Sequence, residues 1–187
     1  MNDFQALVRQ ASAEIADAAC QVDPEALEAV VEEIAAAKHV VAYGVGREGL
    51  MMRALAMRLM HLGIDAHVTG DMTTPPVGHG DLLIVSAGPG YFSTVAALIE
   101  VAQRDGARTM CVTAQPAGKV PSACDTTLTI PAQTMADDTT SQAASVLPMG
   151  SLYEGAQYLV FELLVLMLKA HLAETTESMR ARHTNLE

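Results

Sequence analysis

Tryptophan is missing from this 187-residue chain, which has only four tyrosines and three phenylalanines. Half of the residues are nevertheless hydrophobic, so any core must be aliphatic, with alanine and methionine filling in. Basic charge is also scarce: 11 lysines and arginines face 22 aspartates and glutamates, a net charge of -11. That deficit excludes a sequence-independent nucleic-acid binder, which needs a basic face, and it opposes docking on anionic membranes. Cysteine is limited to Cys20, Cys111 and Cys124, an odd number with no C-x-x-C spacing. Small core side chains in a reducing compartment fit this usage better than disulfides or a thiolate metal site. His67 and His79 also lack metal-ligand spacing, so neither a metal nor a cofactor is expected. The opening "MNDFQALVRQ" carries charge and lacks the apolar stretch of a secretion signal. The apolar run from Tyr158, "YLVFELLVLMLKAHL", is broken by Glu162 and Lys169 and reads as a buried helix rather than a membrane span. These features together predict a soluble cytoplasmic protein.

The polypeptide is rich in alternating short apolar runs and helical periods. Helical spacing over 3–37 predicts two N-terminal helices, the second capped by Asp23 with Pro24 at its first position. The runs 39–44, 66–70, 81–87, 108–114 and 126–131 are bounded by turn residues, and the core ones are apolar on both faces, as in a parallel sheet covered on both sides. Helical stretches at 47–62 and 91–105 supply crossovers, which are right-handed in such units. The expected fold is α/β: a three-layer αβα sandwich around a parallel sheet, one domain over 1–187, with a long C-terminal helix and tail at 151–187. The helix from Arg47 and the C-terminal helix are apolar almost all round, where a helix on a sheet needs only one apolar stripe. Their second faces predict a homo-oligomer, a dimer or tetramer.

The segment "YGVGREGL" (43–50) contains Gly44-x-Gly46-x-x-Gly49, spelled like a dinucleotide fingerprint, and Asp71 follows where a ribose-binding carboxylate belongs. Three features oppose that reading. The first strand follows two helices, the chain has no room for a catalytic domain after a dinucleotide fold, and Glu48 stands in the first helical turn. A pyrophosphate charge about 6 Å from Glu48 would be repelled by about 3 kcal/mol at an effective dielectric of 20.

The stretches "YGVGREGLMMRALAMRLMHLG", "DMTTPPVGHGDLLIVSAG", "LPMGSLYE" and the terminal "RHTNLE" resemble the sugar isomerase (SIS) domain family, and within it the 6-phospho-3-hexuloisomerases. The resemblance runs from the first strand to the last residue. It implies five parallel strands in a flavodoxin-like winding, usually assembled as a tetramer, and a glycine loop over a sugar phosphate pocket. The implied activity is the isomerisation of a sugar or sugar phosphate through an enediol.

Such a reaction needs a base that removes a proton from one carbon and returns it to the next, and a carboxylate in an apolar pocket suits the task. Glu154 in "GSLYEGA" matches the family's glutamate, although a first-turn glutamate is also common as a complement to the helix dipole. His183 in "RHTNLE" is the second candidate, for proton transfer at the oxygens, if the tail closes over its own or a neighbour's pocket. The resemblance also implies substrate contacts from Gly44, Gly46, Arg47, Ser86, Thr73 and Thr74. The pattern breaks at three positions where the family has hydroxyls: Glu48 stands for a serine, Gly88 for a second serine and Tyr91 for a threonine. Ser93 and Thr94 either replace those hydroxyls or cap the next helix. These losses keep a second reading open, a non-catalytic sugar-binding module on the same fold.

Overall fold

A computed structural model describes residues 3–138 and 145–186. Two helices come first, α1 (Phe4–Cys20) and α2 (Pro24–Ala35), followed by β1 (Val40–Tyr43), α3 (Gly46–His61), β2 (Ala66–Val68) and β3 (Leu82–Ser86). Then come α4 (Ser93–Arg104), β4 (Arg108–Thr113), a 3-10 turn at Pro121–Ala123, β5 (Thr126–Thr129), α5 (Ser151–His171) and α6 (Thr176–Ala181). The Asp23 side chain accepts from the Glu25 amide ahead of Pro24, the cap anticipated for α2.

All five strands are parallel, in the order β2-β1-β3-β4-β5. This is the flavodoxin-like order, whose switch point lies between β1 and β3. Strand alternation divides the apolar side chains between two layers. Val40, Ala42, Leu82 and Ile84 face a core shared with α1, α2, α3 and α5, whereas Val41, Leu83 and Val85 face α4. β3 is buried along its whole length, as a central parallel strand should be.

α5 is long and apolar enough to cross a membrane by length and composition. Here its buried residues, from Tyr153 and Gln157 through Val160, Phe161 and Leu164 to Leu168, form one side of the larger core. Its outer face leaves Tyr158, Leu163 and Leu166 exposed, and α3 leaves Leu50, Met57 and Met60 exposed.

The glycine pattern of the first turn is explained by packing. A Cβ on Gly49 would lie 2.5 Å from the Gly44 carbonyl oxygen, and one on Gly44 would lie 2.9 Å from the Gly49 nitrogen. The two glycines therefore let α3 start directly against the end of β1, the same close helix–strand approach that a dinucleotide fold uses.

Candidate functional site

The first turns of α3 and α5 meet at the carboxyl ends of the strands, beside the switch point where ligands of open α/β sheets bind. Between them lies a cleft of about 390 Å³, lined among others by Gly46, Arg47, Glu48, Phe92, Thr134, Met149, Tyr153 and Glu154. Gly46 opens α3 with φ +58, and the Val45 N-cap provides no side-chain acceptor. Met149, just before α5, holds φ 55, a left-handed backbone that costs a non-glycine residue energy and that clusters at functional sites.

Glu154 projects from the first turn of α5, and Arg47 Nε donates to its Oε2 from 2.5 Å. The partners are 107 residues apart, so only the fold brings them together. Glu154 keeps 13% of its side chain exposed and Arg47 68%. An ion pair this open to solvent orients the carboxylate more than it stabilises the protein.

Glu48 is in a different situation. It is only 8% exposed, and its Oε2 accepts from the Ser86 hydroxyl at 2.5 Å and from the Gly88 amide at 2.9 Å. Gln157 Nε2 donates to Ser86 Oγ from 2.9 Å, and the Tyr153 hydroxyl lies 3.3 Å from the same oxygen. Burial pushes the Glu48 carboxyl above its ordinary pKa, against the pull of the Ser86 and Gly88 donors, with the nearby Glu154 charge adding to the rise. Burial likewise holds the Tyr153 phenol well above its usual range, so it stays a neutral donor. Gln157 Oε1 is buried without a hydrogen-bond partner among the described residues, a feature that calls for explanation in a native structure.

Gly46, Arg47, Glu48 and Glu154 thus line one cleft, Ser86 and Gly88 reach it through Glu48, and Gly44 packs against Gly49. The remaining candidates are elsewhere. Thr73 and Thr74 line a separate hollow with Arg53, His67 and Asp71, and the Thr74 hydroxyl donates to the Val68 carbonyl from 2.6 Å. Ser93 and Thr94 are exposed in the first turn of α4, whose N-cap is Phe92 with no side-chain cap. Neither residue caps the helix, because the chain enters α4 one residue earlier than a serine cap would require.

His183 stacks on His61 with ring centroids 5.2 Å apart. Arg182 donates to the His61 carbonyl and pairs with Glu174, whose pKa Arg182 lowers to about 2. The tail is therefore pinned to the C-terminal end of α3. That end lies about 24 Å from the cleft at 1.5 Å per residue over 16 residues. Within one protomer His183 does not join Glu154. Glu187 lies outside the described residues.

Sequence reasoning missed Tyr153 and Gln157. The signal was their spacing of four, which places both on one face of a helix starting beside Glu154. Among the described residues no group of three His, Cys, Asp or Glu side chains is placed to hold a metal ion.

Residues 33–167 match the family described as the SIS domain. The chain is 37% identical to a 3-hexulose-6-phosphate isomerase of Mycobacterium gastri, covering 93% of this chain and 86% of that one. It is 29% identical to a Bacillus subtilis 3-hexulose-6-phosphate isomerase over 93% of this chain and 94% of the relative. Among solved structures, it is similar to a Methanococcus jannaschii hypothetical protein for which a 3-hexulose-6-phosphate isomerase function was inferred. The TM-score is 0.83 and the identity 26%, covering 96% of this chain and 98% of that one.

Proposed function

Because this chain belongs to the SIS domain family, we propose that it is an isomerase of keto sugar phosphates that moves a carbonyl between neighbouring carbons through an enediol. The observation that supports this reading is Glu154 at the mouth of an apolar cleft, with one carboxylate oxygen held by Arg47. Glu154 takes the proton from the hydroxyl-bearing carbon next to the carbonyl. The electron pair closes the enediol, and the same carboxyl returns the proton to the former carbonyl carbon. The hydroxyl proton moves in the same sense, from the former hydroxyl oxygen to the former carbonyl oxygen, so the reaction balances without an oxidant or reductant. His183 can assist only where a neighbouring subunit brings its tail to the cleft.

Glu154→Gln keeps the shape and removes the base. General base catalysis contributes about 10²–10⁴-fold, so turnover of a 3-hexulose phosphate should fall by at least about 100-fold. Turnover within a few-fold of wild type would reject Glu154 as the base, whereas a wild-type protein that binds the sugar phosphate without turning it over would favour the binding-module reading.

The proposal includes self-association, to a dimer or tetramer. Leu50, Met57 and Met60 on α3 and Tyr158, Leu163 and Leu166 on α5 expose apolar surface that a monomer would leave in water. Light scattering at micromolar concentration should give at least twice the 19.7 kDa chain mass, and a monodisperse monomer would refute it.

A further inference from the structure

Two donors at the end of β3 converge on one point. The Ser86 hydroxyl and the Gly88 amide reach the same oxygen, Glu48 Oε2, from 2.5 and 2.9 Å. Gln157 Nε2 donates into Ser86 Oγ, which leaves the hydroxyl proton for the carboxylate. Converging amide and hydroxyl donors beside a helix N-terminus are the geometry of an anion cradle. Here the anion belongs to the chain itself: Glu48, in the first turn of α3, fills the cradle with its own carboxylate.

Gly88 completes the device. A Cβ at that position would lie 2.9 Å from Glu48 Oε1 and 2.8 Å from Tyr153 Cε1, so the carboxylate, as it is placed here, uses the room that a side chain at residue 88 would take. The sequence departures at 48 and 88 are therefore one change, not two. The second oxygen, Oε1, has no hydrogen-bond partner among the described residues, and Glu48 lines the cleft. Arg47, the cleft's cation, is already on Glu154. At this end the cleft offers an acceptor where a phosphate would need donors.

We propose that Glu48 is a specificity-determining residue. It occupies the anion cradle of the Ser86–Gly88 loop and presents Oε1 to a hydroxyl group of the substrate. A sugar then enters with a neutral, hydroxyl-bearing end against Gly88, and any phosphate it carries lies away from this loop. The identity of the ligand as a sugar rests on the isomerase reading, whereas the occupied cradle does not.

Inorganic phosphate titrated calorimetrically into wild type, Glu48→Ser and Glu48→Gln tests the idea. Serine empties the cradle and should tighten phosphate binding by at least about tenfold. Glutamine removes the charge yet still fills the cradle with its amide oxygen, so its affinity should stay within about threefold of wild type. No gain in the serine variant, or an equal gain in both, overturns the proposal, the latter because charge alone would then exclude phosphate. In the wild-type protein, which needs no variant to fold, millimolar phosphate should leave the Glu48 carboxyl ¹³C resonance unmoved, and a shift would also overturn it. None of these readouts uses turnover. A wild-type protein that turns over no keto sugar phosphate, alongside the expected phosphate pattern, would strike only the isomerase reading.

Discussion

The two ends of the sheet use the same residue types to opposite effect. At the amino end, His39 Nδ1 lies 2.9 Å from Asp81 Oδ1 while its Nε2 lies 3.3 Å from Asp65, which also meets His67 at 2.9 Å. Asp81 Oδ2 accepts from the Gly78 amide at 2.8 Å. Burial works against the Asp81 carboxylate, but the Gly78 amide and His39 outweigh it and hold its pKa below the ordinary aspartate value. At the carboxyl end, two donors fail to offset the burial of Glu48, and its pKa rises. The acids of the amino end are closed into pairs that tie β1, β2 and β3 together. Those of the carboxyl end line an open cleft, with Arg47 on Glu154 alone. A carboxylate satisfied by its neighbours stabilises the fold, and one left with an unused oxygen at a cleft is available for chemistry.

The comparison breaks most visibly at Gly49. A Cβ there would meet the Gly44 carbonyl oxygen at 2.5 Å, and neither backbone can yield without moving α3 off β1. Overpacking costs about 1–3 kcal/mol, and backbone against backbone belongs near about 3. Gly49→Ala should lose that much in urea unfolding and should also lose turnover, because α3 carries Arg47 and Glu48. Activity surviving at wild-type level would mean that the cleft does not depend on the helix position described here.

The amino acid sequence made the sheet legible and the site only in part. Strand limits came from runs such as "DLLIVSA", apolar on both faces, and the crossovers followed from handedness. Glu48 was visible as a carboxylate in the wrong place, but not as the occupant of a cradle. That role depends on Ser86 and Gly88, 38 and 40 residues away, and no local pattern reports where a loop's amide points. The same holds for Arg47 on Glu154. Ser93 and Thr94 misled for the opposite reason: local capping preference favoured them, and the path of the chain into α4 placed Phe92 at the cap instead. His183 repeated a motif that within one protomer is held at the far end of α3 by the contacts of Arg182 with the His61 carbonyl and Glu174, a placement no local spacing reports.

The smallest effect should come from the amino end, and it should be confined to stability. Asp81→Asn keeps the shape of the side chain but replaces an ionised acceptor shared by the Gly78 amide and His39. Hydrogen bonds to charged groups contribute about 1.5–3 kcal/mol. Asparagine retains an acceptor oxygen, so a loss of about 1.5 kcal/mol at neutral pH is expected. The pH dependence has a definite sign. Asp81 has a depressed folded pKa, so its contribution is fully present above the unfolded aspartate value of about 3.9. It disappears as pH falls through the lower folded value. Urea unfolding of the two proteins should therefore differ at pH 7 and converge in acid, with turnover at pH 7 unchanged within about twofold because no atom of Asp81 lines the cleft. A difference that persisted at low pH would assign the loss to packing rather than charge. A fall in turnover as large as that of Glu154→Gln would erase the division between the two ends of the sheet.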